Sequence, residues 1–319
     1  MADIYMHERL AEAVMKKRSI KEYQAEFKLG SQGPDPLYYV IFSKDFKFAR
    51  SIGDRLHDTK TNHLFDSMVE HLKKNYSDAL YAYIQGFFLH FALDTRIHPY
   101  VYHHVGVYNP EDASTHAMRG LHLKFERSID KQLIFEDYHQ KAVHYNWLRG
   151  VPKIKSKEAL INLYDDVVKN TLGIEHAGRL YWRGVKGMRR TIRWFMKDRF
   201  GLKKKLYRMF DKRYQTQDIF YQDMSLYGDN LAFDFLNREQ RTWFHPITNE
   251  SSNDSVDQLF TSALKDAMDY LDILEHCLKS GQSFDSDNVI KNRSFNSGID
   301  CDDQRPMRFF NLFKSFSEH

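Results

Sequence analysis

Apolar residues along this chain recur mostly at steps of three and four, the period of a helix with one buried face. The pattern predicts a helix over residues 6–17, another in SKDFKFARSIGDRLHDTK and a third in HLFDSMVEHLKKNYS. Residues 78–98 form the most apolar helix and are expected at the centre of the core. Pro99 should end or kink it, because the residue before a proline resists the α conformation. Helical spacing returns in THAMRGLHLKFERSIDKQL, SKEALINLYDDVVKNT and SVDQLFTSALKDAMDYLDILEHCLKSG. Between the early helices, KLGSQGPDPLYY is irregular, and its Gly and Pro residues fix a loop that presents Asp35. No period-two alternation is long enough to require a sheet, and no internal repeat is found. An all-α fold follows: a multi-helix bundle with additional C-terminal helices.

The boundaries expected are one domain over residues 1–283 and a polar tail over 284–319, irregular apart from the aromatic end RFFNLFKSF. Within the domain, residues 1–150 carry the candidate ligands, a basic amphipathic helix covers about 174–213, and residues 214–283 complete the bundle. Between Arg179 and Arg213 stand 14 Lys or Arg against Asp198 and Asp211 only. Because the whole chain carries +4, the remainder is net acidic. Tyr181, Val185, Met188, Ile192, Phe195, Arg199 and Leu202 follow helical steps, so one side should pack while the other stays basic. Such a face is either plainly solvated or attracts the phosphates of an anionic membrane or a nucleic acid.

Composition adds less. The 319 residues are 42% hydrophobic, and Gly (15) and Pro (7) are scarce, which agrees with long helices. Cys277 and Cys301 make neither a disulfide framework nor a cysteine zinc site. The start, MADIYMHERLAEAVMKKRS, holds no apolar run of signal-peptide length, so a cytoplasmic location is expected. Gly-rich phosphate loops, a Gly-x-Ser-x-Gly elbow and a Cys/His nucleophile pair are absent.

Histidine does change the picture. Of 16 histidines, 12 precede residue 146, and the apolar stretch GFFLHFALDTRIHPYVYHH holds four of them beside Asp94. Burying such groups costs free energy unless they are paired or bind a metal. His90 and Asp94 lie four apart and share a helix face; His122 and Glu126 repeat that spacing on another helix. Each pair alone is more often a surface pair or a satisfied core group. Together they make a metal site between helices worth testing. His98 extends the first row, with its neighbour Pro99 positioned to turn it outward.

The run GSQGPDP with Asp35, then His57, HFALDTRIHP and HLKFE, resembles the bacterial zinc-dependent phospholipase C family over roughly residues 3–130. The resemblance implies an all-helical fold shared with single-strand-specific zinc nucleases. It implies one metal held by Asp35, His57, His90 and Asp94, and a second held by His98, His122 and Glu126. A third would use His7, with Asp94 bridging. Two or three zinc ions are implied, and iron or manganese suits the same donors. The implied reaction is attack of metal-bound hydroxide on a phosphodiester, with metals about 3.5–4 Å apart and Asp35 orienting or deprotonating the water. Two features depart from the family. The chain lacks the N-terminal Trp that secreted members use at the third metal, for which backbone near Ala2 would have to substitute. The gap from His98 to His122 is long, making His116 a rival ligand.

Three functions therefore compete: a zinc-dependent phosphoric ester hydrolase, a single-strand nuclease on the same scaffold, and a non-catalytic metal-stabilised membrane-binding protein. In the nuclease reading Trp182, Trp194, Phe195 and Tyr207 would stack bases. A second metal model uses the adjacent His57-Asp58 with His7 and Asp94, but leaves His90, His98, His122 and Glu126 idle. His103 and His104 are expected to be exposed, and His63, His71, His139, His144 and His176 to be ordinary surface or helix residues. Trp243-Phe244-His245-Pro246 reads as a core-packing turn more readily than as a pocket wall.

Overall fold

A computed structural model describes residues 3–41, 43–213, 220–228 and 233–313. The fold is all-α, as the periodicity predicts. The helices are α1 (Ile4–Arg18), α2 (Gln24–Gly30), α3 (Phe46–Asp58), α4 (Thr61–Lys74), α5 (Asp78–Val105), α6 (Leu121–Tyr138), α7 (Lys157–Leu172), α8 (Ala177–Arg190), α9 (Leu202–Arg213), α10 (Val256–Ser280) and α11 (Ser286–Val289). Sheet among the described residues is confined to one antiparallel pair of two-residue strands, Trp243–Phe244 with Ser251–Ser252. No helix among those residues is long and apolar enough to cross a membrane.

Helix α5 is the axis, packed by α2 and α10 and bordered by α1, α4 and α6. Its sequence is apolar all round, so it is buried all round. Gly30 and Gly86 let α2 and α5 cross closely: a Cβ on Gly30 would lie 2.0 Å from the Tyr83 carbonyl oxygen, and one on Gly86 2.1 Å from that of Phe27. The α2 helix itself was not expected; its seven residues are too few to establish a period.

Pro99 does not end α5, which runs six residues further to Val105. A proline inside a helix frees the carbonyl four residues back, here that of Thr95. Gly298 packs against that oxygen so closely that a Cβ would meet it at 2.6 Å. The Thr95 hydroxyl also donates back to Phe91 O and Ala92 O. This local accommodation keeps His98 in helical register above Asp94, buried rather than turned outward.

The segment after Ser283 also departs from expectation. Phe295 is fully buried among Phe65, Phe87 and Phe91, and Phe313 packs on Phe125, Phe233 and Phe235. Phe313 belongs to the aromatic end RFFNLFKSF, but Phe295 is an isolated aromatic in a polar stretch with no period to read. The basic stretch, in turn, is not one helix. A π-helical turn, Thr191–Met196, and a break at 197–201 separate α8 from α9. Tyr181, Val185, Met188 and Ile192 are buried, while Leu202 is 67% exposed.

Candidate metal centre

Four elements converge on the middle of α5. Helix α1 brings His7, the 3₁₀ turn Asp35–Tyr39 brings Asp35, α3 brings His57, and α6 brings His122 and Glu126. Helix α5 supplies His90, Asp94 and His98, one turn apart on one face. All eight candidate ligands gather in one buried chain of donors, with only the His122 side chain substantially exposed, at 30%.

Asp94 lies at the centre. Its Oδ2 is 3.1 Å from His90 Nε2 and 3.9 Å from His57 Nε2. Its Oδ1 is 3.4 Å from His7 Nε2 and 3.8 Å from His98 Nε2. Asp35 Oδ1 closes one end, 3.4 Å from His57 Nε2 and 3.7 Å from His90 Nε2. Glu126 Oε1 closes the other, 3.4 Å from His98 Nε2 and 2.9 Å from His122 Nε2. Three groups have geometry able to hold a metal ion: His7, His90 and Asp94; Asp35, His57 and His90, which shares His90 with the first; and the separate set His98, His122 and Glu126.

The donor set fits zinc. His57 Nδ1 donates to Gly53 O at 2.7 Å, His90 Nδ1 to Ser31 O at 3.2 Å and His98 Nδ1 to Phe295 O at 2.9 Å. A carbonyl can only accept, so each contact puts the proton on Nδ1 and turns the Nε2 lone pair inward. Those three Nε2 atoms, His7 Nε2 and Asp35 Oδ1 are buried and find no hydrogen-bond partner among the described residues. Inward lone pairs gathered in this way suit a cation better than they suit one another. Burial drives His7 and His90 down to about 3 and His98 well below the ordinary histidine range, so these rings stay neutral and ready to ligate. His57 goes the other way: burial opposes its charged form, but the Asp35 contact and the charges of Asp35 and Asp94 outweigh it. Glu126 is raised well above the usual carboxylate range by burial, which a bound cation would reverse.

The scaffold around these groups is as specific as the ligands. Gly33 adopts φ +49°, and a Cβ there would lie 2.2 Å from the His90 ring. Its carbonyl accepts from Tyr164 and Tyr181, both at 3.1 Å, and these hydroxyls meet Tyr83 at 2.9 and 2.6 Å. This tyrosine clasp, drawn from α5, α7 and α8, holds the GSQGPD turn that carries Asp35. On α6, Asp130 accepts from Tyr5 N at 2.7 Å and Met6 N at 3.0 Å, capping α1 just before His7. Arg127, one residue past Glu126, pairs with Asp3. Sequence inspection missed all of these except the glycine-rich turn.

Several competing candidates fall elsewhere. His116 is exposed on a 3₁₀ turn, with Nε2 on Pro110 O, outside the cluster. Asp58, proposed in the adjacent His-Asp model, turns to Ser294 and Asn296. His103 and His104 are on the last turn of α5 rather than in an exposed loop, bonded to Phe309 O and Asn311 O. His71 is a buried partner of Asp166 at 2.7 Å. Trp243 packs on Tyr100 as part of the core. The backbone near Ala2 lies outside the described residues.

The sequence profile of the family described as zinc dependent phospholipase C matches residues 4–187. The chain belongs to the zinc-dependent phospholipase C family. The match runs past the limit near residue 130 set by the ligand motifs and takes in α7 and most of α8, two of the helices that supply the tyrosine clasp. Searches of curated proteins and of solved structures returned no match. Family membership and the histidine/carboxylate groups together support zinc binding and a phospholipase C-like function.

Proposed function

We propose that this chain is a zinc-dependent phosphodiester hydrolase acting on phospholipid, with His7, Asp35, His57, His90, Asp94, His98, His122 and Glu126 as the ligands of up to three ions. The observation that carries the reading is the continuous, buried line of donors from Asp35 to His122, with Asp94 shared in its middle. Bound there, the ions would supply positive charge that acidifies water and neutralises charge on the phosphoryl oxygens. The chain's own residues do the rest. Asp94 offers one carboxylate oxygen to each side and fixes the spacing of the two ends. The Nδ1 contacts of His57, His90 and His98 keep their rings from rotating as a substrate binds. Asp35, held by a turn rather than a helix, is the group assigned to orient a water and take its proton. The apolar surface of α5 excludes solvent behind the ligands. His122, at the exposed edge, faces the substrate's approach.

A side-by-side assay tests this reading on a water-soluble phosphocholine ester, a generic phosphodiester and single-stranded DNA. The expected result is cleavage of the phosphocholine ester in preference to the others, abolished by a chelator and restored by zinc. Preference for DNA would replace the reading with the nuclease alternative. Inertness on all three with zinc bound would leave a metal-stabilised, non-catalytic helical protein. The reading keeps the enzyme in the cytoplasm, which fractionation of the tagged full chain tests.

A further inference from the structure

Helix α9 is packed the wrong way round for a globular domain. Its sequence, LKKKLYRMFDKR, places Leu202, Leu206, Met209 and Phe210 at i, i+4, i+7 and i+8, the spacing of a single apolar stripe. In a soluble helix that stripe faces the core. Here it faces solvent: Leu202 is 67% exposed, Leu206 47%, Met209 68% and Phe210 42%. Trp194 and Phe200, just before α9, are exposed at 64% and 73%. Contiguous apolar exposure of this kind marks an interaction site.

The opposite side of α9 holds it to the body. Tyr207 donates to Phe195 O at 3.1 Å. Asp211 accepts from Tyr221 N at 2.6 Å and Gln222 N at 3.0 Å. Asp198 accepts from Lys204 N at 2.8 Å and the Ser225 hydroxyl at 2.9 Å. The two acidic residues of the 179–213 stretch are thus committed to the scaffold and Lys203 donates to Trp194 O at 2.6 Å, whereas Lys205 and Lys212 are exposed beside the apolar stripe.

We propose that the ridge from Trp194 to Arg213 is an interfacial anchor that seats this protein on an anionic phospholipid bilayer. Exposed Leu, Met, Phe and Trp enter the boundary between headgroups and acyl chains, while the flanking lysines keep their ammonium groups among the lipid phosphates. Charge complementarity decides the occupant: the ridge itself carries eight basic residues against Asp198 and Asp211, and so opposes a negatively charged surface. Nucleic acid is the poorer fit, because Leu202, Leu206 and Met209 offer no ring for base stacking. A second copy of this chain is poorer still, since two such basic ridges would repel.

The anchor is also wired to the exposed edge of the metal centre. Tyr221, next to the Asp211 contact, lies 6.4 Å ring to ring from Phe210. Its neighbour Phe220 lies under Arg119 at 4.5 Å and against Gly120, where a Cβ would meet it at 2.5 Å. His122 follows two residues later. The inference rests on the phospholipid reading only for the substrate; the surface itself is tested without turnover.

Sedimentation of the zinc-loaded full chain with phosphatidylcholine vesicles, with and without phosphatidylserine, provides that test. Binding should require phosphatidylserine and weaken with salt. The double variant Leu206→Glu/Met209→Glu should lose at least about tenfold in affinity, and Lys205→Gln/Lys212→Gln about 25-fold, at roughly fivefold per basic charge removed. All four side chains are on an exposed helix face, so circular dichroism, zinc content and hydrolysis of a soluble ester should stay unchanged. Absence of vesicle binding, or equal binding by both variants, would overturn the proposal. So would variant-sensitive binding of single-stranded DNA without vesicle binding, or self-association abolished by the same changes. Since soluble-ester hydrolysis is read separately, failure of the anchor and failure of the hydrolase reading give different results.

Discussion

Phe295 offers a test of how far the C-terminal segment builds the metal centre. Its ring sits 4.9 Å from that of Phe91, 5.1 Å from His57 and 5.7 Å from His90, and its carbonyl accepts a hydrogen bond from His98 Nδ1. Its own amide donates to His57 O at 2.9 Å, so one residue supports three of the proposed ligands. Phe295→Ala removes a fully buried aromatic and should cost about 3–5 kcal/mol through lost burial and the cavity left behind. In a domain of this size that lowers the unfolding midpoint by on the order of 10 °C. Loosening the His98 carbonyl anchor should weaken zinc binding by about 10–100-fold, the usual cost of losing an outer-shell contact. Phe295→Leu, which keeps most of the volume, should lie between wild type and Ala on both measures. Thermal unfolding with and without chelator, and zinc titration against a competing dye, give the two readouts. A loss below ~1 kcal/mol with unchanged zinc affinity would mean that residues 284–313 do not pack as described.

Other substitutions probe the scaffold from different sides. Gly33→Ala should displace His90 and strip metal from the Asp35 end, because its Cβ would overlap the His90 ring and its φ is positive; zinc content per chain checks this. Asp130→Ala removes the acceptor for two α1 amides and should cost about 1–2 kcal/mol while lowering occupancy of the His7 group, read by calorimetry and metal analysis. Tyr181→Phe leaves the Gly33 carbonyl its Tyr164 donor and should cost only about 1 kcal/mol. His104 is pushed down to about 4 by burial and by neighbouring His103. Its folded form therefore binds fewer protons than the unfolded chain between about 4 and the ordinary histidine value near 6.5. Stability should fall as pH drops through that window, and His104→Asn should flatten the fall in pH-dependent denaturation curves.

The sequence made the ligands legible because metal chemistry restricts both residue type and helical spacing: His90/Asp94 and His122/Glu126 can be read without a structure. It also exposed the central helix, since nothing but burial explains so apolar a run. Other features were hidden for physical reasons. Pro99 stays within α5 with a glycine two hundred residues away fitted against the freed Thr95 O, a contact no local pattern announces. The π-helical turn and the break after Met196 leave no mark on a periodicity that continues on paper through Leu202. Phe295 contributes its backbone carbonyl and a lone aromatic ring, neither of which forms a motif. The outward stripe of α9 has the same spacing as a buried one, so the sequence could not say which way it faced.

Metal analysis of the purified full chain tests the central claim most directly, paired with the same measurement on Asp94→Asn and on His63→Ala, an exposed α4 control. The account predicts at least two zinc-like ions per chain in wild type, retained in His63→Ala and largely lost in Asp94→Asn, whose carboxylate faces four imidazoles. A stable, fully folded wild-type protein that takes up no zinc, or equal losses in both variants, would contradict it.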